Sequence, residues 1–256
     1  MFLICPGHTP EFLKNNDLKI EVFLPRYDAV VESDKHPELI GGVHLPYVNL
    51  NFAAIDDSER LRSVSEMKLA IEAAMRYNIS DMVMHILGIV TENGNTVGTY
   101  ERCVESIREV VDFARTKKVT ICLENQAFHD PTRDVLGTSA EEWFRIWEDV
   151  GRENMLLTLD TSHSATRAAR IEDKEERFKY MYEYLKRPEL IKRVHWSDAR
   201  LTNKEAFMRD MHNIVGDGDL PREFHKAIKN LGALKTLEQI KPEEDVLRGL
   251  KFIETL

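Results

Sequence analysis

The chain has 256 residues, of which 43% are hydrophobic and 31% charged, enough apolar mass for one large core and within the usual size of a single α/β barrel. A formal net charge of −9 provides no global basic footprint for nucleic acid or for an anionic membrane. Its three cysteines, Cys5, Cys103 and Cys122, show no paired spacing, which argues against a disulfide framework or a thiolate zinc site. No apolar run reaches the roughly 18 residues that span a bilayer and no leader pattern opens the chain, so the expectation is a cytoplasmic protein with neither a membrane nor an obligate protein partner.

Short apolar runs recur at Phe2–Cys5, Lys19–Leu24, Gly41–Leu45, Asp81–Ile86, Thr120–Glu124, Met155–Asp160, Ile191–Ser197 and Leu234–Glu238. From the third onward, segments of helical periodicity follow them: Asp57–Tyr77, Tyr100–Thr116, Ser139–Trp147, Glu172–Leu185, Pro221–Leu231 and Glu243–Ile253. The second of these carries Val104, Ile107, Val110, Val111 and Ala114 on one face, and the third opens on Ser139-Ala140-Glu141-Glu142, close to a capping box. Strands alternating with helices imply parallel pairing through right-handed crossovers. Eight such units predict an α/β (β/α)8 TIM barrel forming one domain over residues 1–256, with a doubly wound open sheet as the structural alternative.

The third to eighth runs share one property: each ends at or near a side chain able to bind a metal, namely His44, His85, Glu124, Asp160, His195 and Glu238. In a barrel such strand ends converge at the C-terminal mouth, where barrel active sites are built. Converging carboxylates without cations would repel and raise one another's pKa values. A divalent metal removes that conflict, and mixed imidazole and carboxylate donors suit zinc, manganese or iron. Asp160, in Asp160-Thr161-Ser162, also reads as a cap for the following helix. His163, Asp210 and His212 lie in adjoining segments, the last two as an Asp-x-His pair ahead of Gly216-Asp217-Gly218. Of the other histidines, His129 reads as plain loop, with the edge of the mouth as its alternative, reach of the mouth is the lesser reading for His8, His36 reads as solvated loop, and His225 as helix surface.

The motifs His44-Leu45-Pro46-Tyr47, the strand ending in His85, Leu123-Glu124-Asn125, Leu159-Asp160-Thr161-Ser162-His163, His195-Trp196-Ser197-Asp198, Asp210-Met211-His212 and Leu237-Glu238, in this order, resemble the xylose isomerase-like TIM barrels. That superfamily includes endonuclease IV and many sugar isomerases and epimerases, and the resemblance runs from about Gly41 to the C-terminus. For a sugar or sugar-phosphate isomerase or epimerase it implies one divalent metal, zinc, manganese or magnesium, on Glu124, Asp160, His195 and Glu238. There Glu124 and Glu238 would exchange the proton, Asn125, Ser197 and Asp198 would hold hydroxyl groups, and the substrate would be a small phosphorylated sugar.

For endonuclease IV the resemblance implies up to three zinc ions and abasic-site DNA as substrate. His44, His85 and Glu124 match the first zinc. Glu124 would bridge to a second, held also by Asp160, His195 and Glu238. His163, Asp210 and His212 match the third. Tyr47, Arg200 and Arg209 are then the candidate substrate contacts. The chain departs from endonuclease IV at Gly7-His8-Thr9, where Gly-x-His-x-Ser is usual, and after the second strand, where Phe23-Leu24-Pro25-Arg26-Tyr27 carries one arginine. The ligand set favours the phosphodiester hydrolase; the isomerase or epimerase is the alternative.

Overall fold

The computed structural model describes residues 1–29, 31–128, 132–201 and 210–256. His129 and Arg209 therefore lie outside the described residues. Eight parallel strands close into a barrel: β1 (Phe2–Ile4), β2 (Leu18–Phe23), β3 (Ile40–His44), β4 (Asp81–His85), β7 (Thr120–Glu124), β9 (Met155–Asp160), β10 (Ile191–His195) and β11 (Leu234–Leu237). Each pairs in parallel with its neighbours in chain order, and β11 closes on β1. The (β/α)8 TIM barrel expected from the alternation is thus the fold, and among the described residues no helix is long and apolar enough to cross a membrane.

The helices form where apolar periodicity and caps agree. In α2 (Asp57–Ala74), Asp56 accepts a hydrogen bond from the Glu59 amide at the N-cap. In α3 (Tyr100–Thr116), Thr99 caps the Arg102 amide and the expected apolar face is buried. α4 (Ala140–Val150) starts at the Ser139 cap and stops at Gly151, whose φ of 58° is the left-handed conformation that ends helices. α6 (Lys174–Glu183), α7 (Arg222–Asn230) and α8 (Glu243–Glu254) complete the expected set. Two further helices fill connections that carry little periodicity: α1 (Pro10–Asn15) and α5 (Thr161–Ala168), which leaves β9 without a loop.

A second, small sheet sits beside the mouth. It joins β5 (Ile89–Glu92), β6 (Asn95–Thr96) and β8 (Arg133–Val135), all antiparallel. The β5–β6 turn is Asn93-Gly94 with φ of 50° and 77°, the two left-handed residues that a tight hairpin requires.

The barrel interior is not wholly apolar. Glu21 of β2 and Arg193 of β10 are fully buried. Arg193 Nη2 lies 2.9 Å from Glu21 Oε2, and its Nη1 lies 2.6 Å from Asp81 Oδ1. Gly42 on β3 makes room for that guanidinium: a Cβ there would stand 2.1 Å from Arg193 Nη2 and 2.8 Å from Leu3 Cδ1. Gly42→Ala should therefore cost about 1–3 kcal/mol of stability, the scale of overpacking a dense core, read as a lower denaturant midpoint at unchanged slope. A midpoint equal to wild type would show that Arg193 is not held where the two carboxylates place it.

Candidate metal centre

Strand register sets the site. His85 pairs with Glu124 across β4 and β7, and His195 pairs with Asp160 across β9 and β10, so ligand-type side chains emerge on one level at the C-terminal mouth. Glu124 is at its centre and fully buried. Its Oε2 lies 3.2 Å from both His44 Nε2 and His85 Nε2, and its Oε1 lies 3.0 Å from His195 Nδ1. Glu238, the residue after β11, brings Oε2 to 2.8 Å from the same His195 nitrogen. Asp210 Oδ2 stands 3.1 Å from His163 Nε2 and 2.5 Å from His212 Nε2. The nine residues expected at the centre thus lie together. Ligand atoms within 4.8 Å of one another group as Glu124, Asp160, His195 and Glu238; as His44, Glu124 and His195; as His85, Glu124 and His163; and as Asp160, His163 and His212.

Hydrogen-bond partners fix which imidazole nitrogen faces inward. A carbonyl oxygen only accepts, so His44 Nδ1 must donate to Leu45 O at 2.8 Å and His163 Nδ1 to Asn125 O at 2.8 Å. Both leave Nε2 free. Ser197 Oγ donates to Glu238 O at 3.0 Å, so it accepts from His212 Nδ1 at 3.2 Å, again freeing Nε2. His195 is turned the other way: its Nε2 lies 3.1 Å from Glu21 Oε1 and Nδ1 faces the cluster. Buried carboxylate or carbonyl partners of this kind orient metal-binding histidines.

Among the described residues, the buried oxygens Asp160 Oδ2, Asp210 Oδ1 and Glu238 Oε2 have no hydrogen-bond donor. The last is near His195 Nδ1, but without hydrogen-bond geometry. Asp160 divides its duties, with Oδ1 capping α5 through the His163 amide at 2.7 Å while Oδ2 stays unpartnered. The capping reading of that residue holds, and its second oxygen is left for the cluster. Orphaned buried oxygens converging with inward-facing imidazole nitrogens fit a divalent cation, which satisfies such acceptors and replaces the imidazole protons.

Electrostatics points the same way. Burial pushes the Asp160 carboxyl well up, with Glu238 and Asp210 adding to it against the opposing His163. Burial also opposes ionisation of Glu238, yet His195 and His212 bring it down to about 2. Burial lowers His212, but Glu238, Asp210 and Asp160 outweigh it and raise the imidazole to about 10. In the metal-free chain, protons on imidazoles supply the positive charge that the carboxylates demand.

A cavity of about 470 Å³ opens over the cluster, lined by Phe23, Tyr47, Leu87, Arg133, His212 and Glu238 among others. Tyr47 is half-exposed and stacks on His85 with ring centroids 4.8 Å apart. Arg200 is half-exposed and turns toward Asp219 at 3.7 Å. Asn125, Ser197 and Asp198, expected to hold substrate hydroxyls, do not face the cavity with free groups. Asn125 is fully buried and spends its amide on the Asp160 backbone, accepting from N at 2.7 Å and donating to O at 3.1 Å. Ser197 is engaged with Glu238 O and His212. Asp198 is taken up by backbone amides and by His225. His225 is 1% exposed rather than surface, because it lies on the α7 face shared with Phe224 and Ile228.

Sequence reasoning passed over Glu21, which orients His195, and Phe23, which stacks on His44 at 4.9 Å. Glu21 shares its strand face with Phe23 two residues on, and that face points into the barrel.

A sequence model described as the xylose isomerase-like TIM barrel matches residues 14–256. An uncharacterized protein of Methanocaldococcus jannaschii is 29% identical over 125 residues, 48% of this chain and 42% of that one; the match spans less than half of that curated relative. Three solved structures share the fold. A Thermus thermophilus protein soaked with ZnCl2 superposes with a TM-score of 0.70 at 18% identity, covering 99% of this chain and 96% of the other. Endonuclease IV from the same organism gives 0.68 at 17%, covering 99% and 97%. D-psicose 3-epimerase from Clostridium cellulolyticum, with D-tagatose, gives 0.67 at 15%, covering 96% and 91%.

The raised His212 has a measurable consequence. A cation at its Nε2 must displace a proton held up to about pH 10, so zinc binding at pH 7 releases protons and weakens as the pH falls. Titrating zinc into metal-free protein in weakly buffered dye solution should show acidification. No proton release at pH 7 would contradict the charge balance described above.

Proposed function

Because the chain belongs to the xylose isomerase-like TIM-barrel family, we propose that it is a metal-dependent phosphodiester hydrolase of the endonuclease IV kind, acting on abasic-site DNA through several divalent cations, zinc foremost. The observation that carries this reading is the Asp210 carboxylate between His163 Nε2 and His212 Nε2, at 3.1 and 2.5 Å, with no partner for its Oδ1 among the described residues. A one-metal isomerase has its four ligands in Glu124, Asp160, His195 and Glu238 and needs no such addition.

Glu124 would hold the subsites together, since its two oxygens face histidines from three different strands. His44 and His85 would bind on one side of it. Asp160, His195 and Glu238 would bind on the other, and His163, Asp210 and His212 would form the outer subsite. Bound divalent cations would supply Lewis-acid polarisation of a phosphoryl oxygen and a water of lowered pKa. Their charge also makes the acidic mouth locally positive, so the net charge of −9 does not bar a polyanion there. Tyr47, half-exposed on the cavity lining, would stack on a base or an unpaired sugar, and Arg200 is the remaining described cation proposed to meet a phosphate.

One observation favours the alternative, a sugar or sugar-phosphate isomerase or epimerase. Glu124 Oε1 and Glu238 Oε2 approach one point from two sides, 3.0 and 2.8 Å from His195 Nδ1, as a proton-exchanging pair would across a substrate carbon.

Metal counting and a gel assay separate the two. The hydrolase reading expects about three zinc ions per chain and incision of an abasic duplex at low salt, where backbone contacts are least screened. The double substitution Asp210→Ala/His212→Ala should remove one zinc ion and suppress incision. Glu124→Gln should lower activity at least about 100-fold, the scale of losing several kcal/mol of cation-assisted stabilisation, with the fold kept. A single tightly held metal and no incision by metal-replete protein would sink the hydrolase and direct the assay to sugar-phosphate epimerisation.

A further inference from the structure

His212 has a φ of 35°, a left-handed conformation that a non-glycine residue keeps only where its surroundings impose it. Its own amide donates to Ser162 Oγ at 3.3 Å, and the bonds that hold the segment after it lie outside the centre. One residue later, Asn213 pairs with Asp198 in an isolated antiparallel bridge, with both N–H···O hydrogen bonds at 2.9 Å. The Asp198 carboxylate then gathers the rest of the segment. Its Oδ1 accepts from the Ala199 amide at 2.8 Å and the Leu220 amide at 3.2 Å, and its Oδ2 accepts from the Gly216 amide at 3.0 Å.

The fourth partner comes from α7. Trp196 Nε1 can only donate, and it reaches His225 Nδ1 at 3.0 Å. His225 Nδ1 is therefore bare and Nε2 carries the proton, which it donates to Asp198 Oδ2 at 3.0 Å. All three side chains are buried. Four donors on two oxygens leave Asp198 no capacity for a ligand. Gly218 fits only because it lacks a side chain: a Cβ would lie 2.1 Å from Asp198 Oδ1 and 2.6 Å from Ala199 O.

We propose that Trp196, His225 and Asp198 form a clamp of positioning residues that anchors residues 213–220 to the end of β10, imposes the backbone of His212, and so sets how firmly Asp210 and His212 hold a cation. The last clause rests on the multi-metal reading above; the anchoring does not. Asp210 and His212 come from a loop, whereas Glu124, Asp160, His195 and Glu238 come from strand ends. Loosening the clamp therefore acts on the outer subsite alone.

The test uses His225→Phe, which keeps a ring but removes donor and acceptor, beside His225→Gln, whose amide can give to Asp198 and accept from Trp196. In His225→Phe, hydrogen exchange at the Asn213 and Gly216 amides of metal-free protein should quicken at least about tenfold. One zinc equivalent of three should yield to a chelator about 10–100-fold more readily, the usual effect of losing a partner behind a ligand, while the others hold. His225→Gln should restore most of both. Wild-type exchange and zinc retention in His225→Phe would overturn the proposal. So would equal quickening at Val194 and Leu237 with loss of every zinc, which marks a general structural role. A wild-type count of one zinc would refute the multi-metal reading, and the exchange rates at Asn213 and Gly216 would then decide the clamp by themselves.

Discussion

Five carboxylates, Glu21, Glu124, Asp160, Asp210 and Glu238, crowd one end of the barrel, largely out of water, and the rest of the site answers to that charge. Glu21 is neutralised permanently by Arg193, which also reaches Asp81. Breaking such a buried pair costs about 3–5 kcal/mol, so this part belongs to the scaffold. The other four depend on exchangeable charge: burial pushes the Asp160 carboxyl up toward its protonated form, and protons on His163, His195 and His212 answer the rest, a place that a cation could take. Glu21 stands between the two regimes, with one oxygen on Arg193 and the other on His195.

The two regimes explain why the polar residues around the centre are so fully occupied. Asn125 joins the ends of β7 and β9 through the Asp160 backbone, and its own carbonyl sets the ring of His163. Ser197 sets His212. In the sequence such side chains look like substrate contacts because they are small, polar and at the mouth, but a mouth packed with ligands needs its small polar groups to orient them.

Much of this is legible in the sequence for one physical reason. Parallel barrel strands are buried on both faces, so they read as apolar runs, and the first residue that can be polar is the one at the mouth. His44, His85, Glu124, Asp160 and His195 stand at those places. The same burial hides Glu21, since an acidic residue alternating with apolar ones in a strand reads as solvent-facing, whereas the inner face of a barrel has no solvent. His225 passes for surface among the charged residues of α7, although its spacing of three from Ile228 puts it on the buried stripe. The Asn93-Gly94 turn carries a hairpin signal that a search for parallel strands passes over. The role of the Asp198 side chain is unreadable, because its partners come from Ala199, Gly216, Leu220 and His225, which only the fold brings together.

The small sheet beside the mouth changes what variation the fold can tolerate. Barrels commonly diversify because each βα loop can change without its neighbours. Here the loop after β4 supplies the β5–β6 hairpin and the loop after β7 supplies β8, and the two are hydrogen-bonded, with one register irregularity between Ile89 and Thr91. Lengthening either by one residue would turn Ile89 or Arg133 to the opposite face, and both now line the cavity. On that side the two loops form one unit, so grafting a new specificity there means exchanging both segments together, while the loop after β10 forms its bridge within itself, between Asp198 and Asn213.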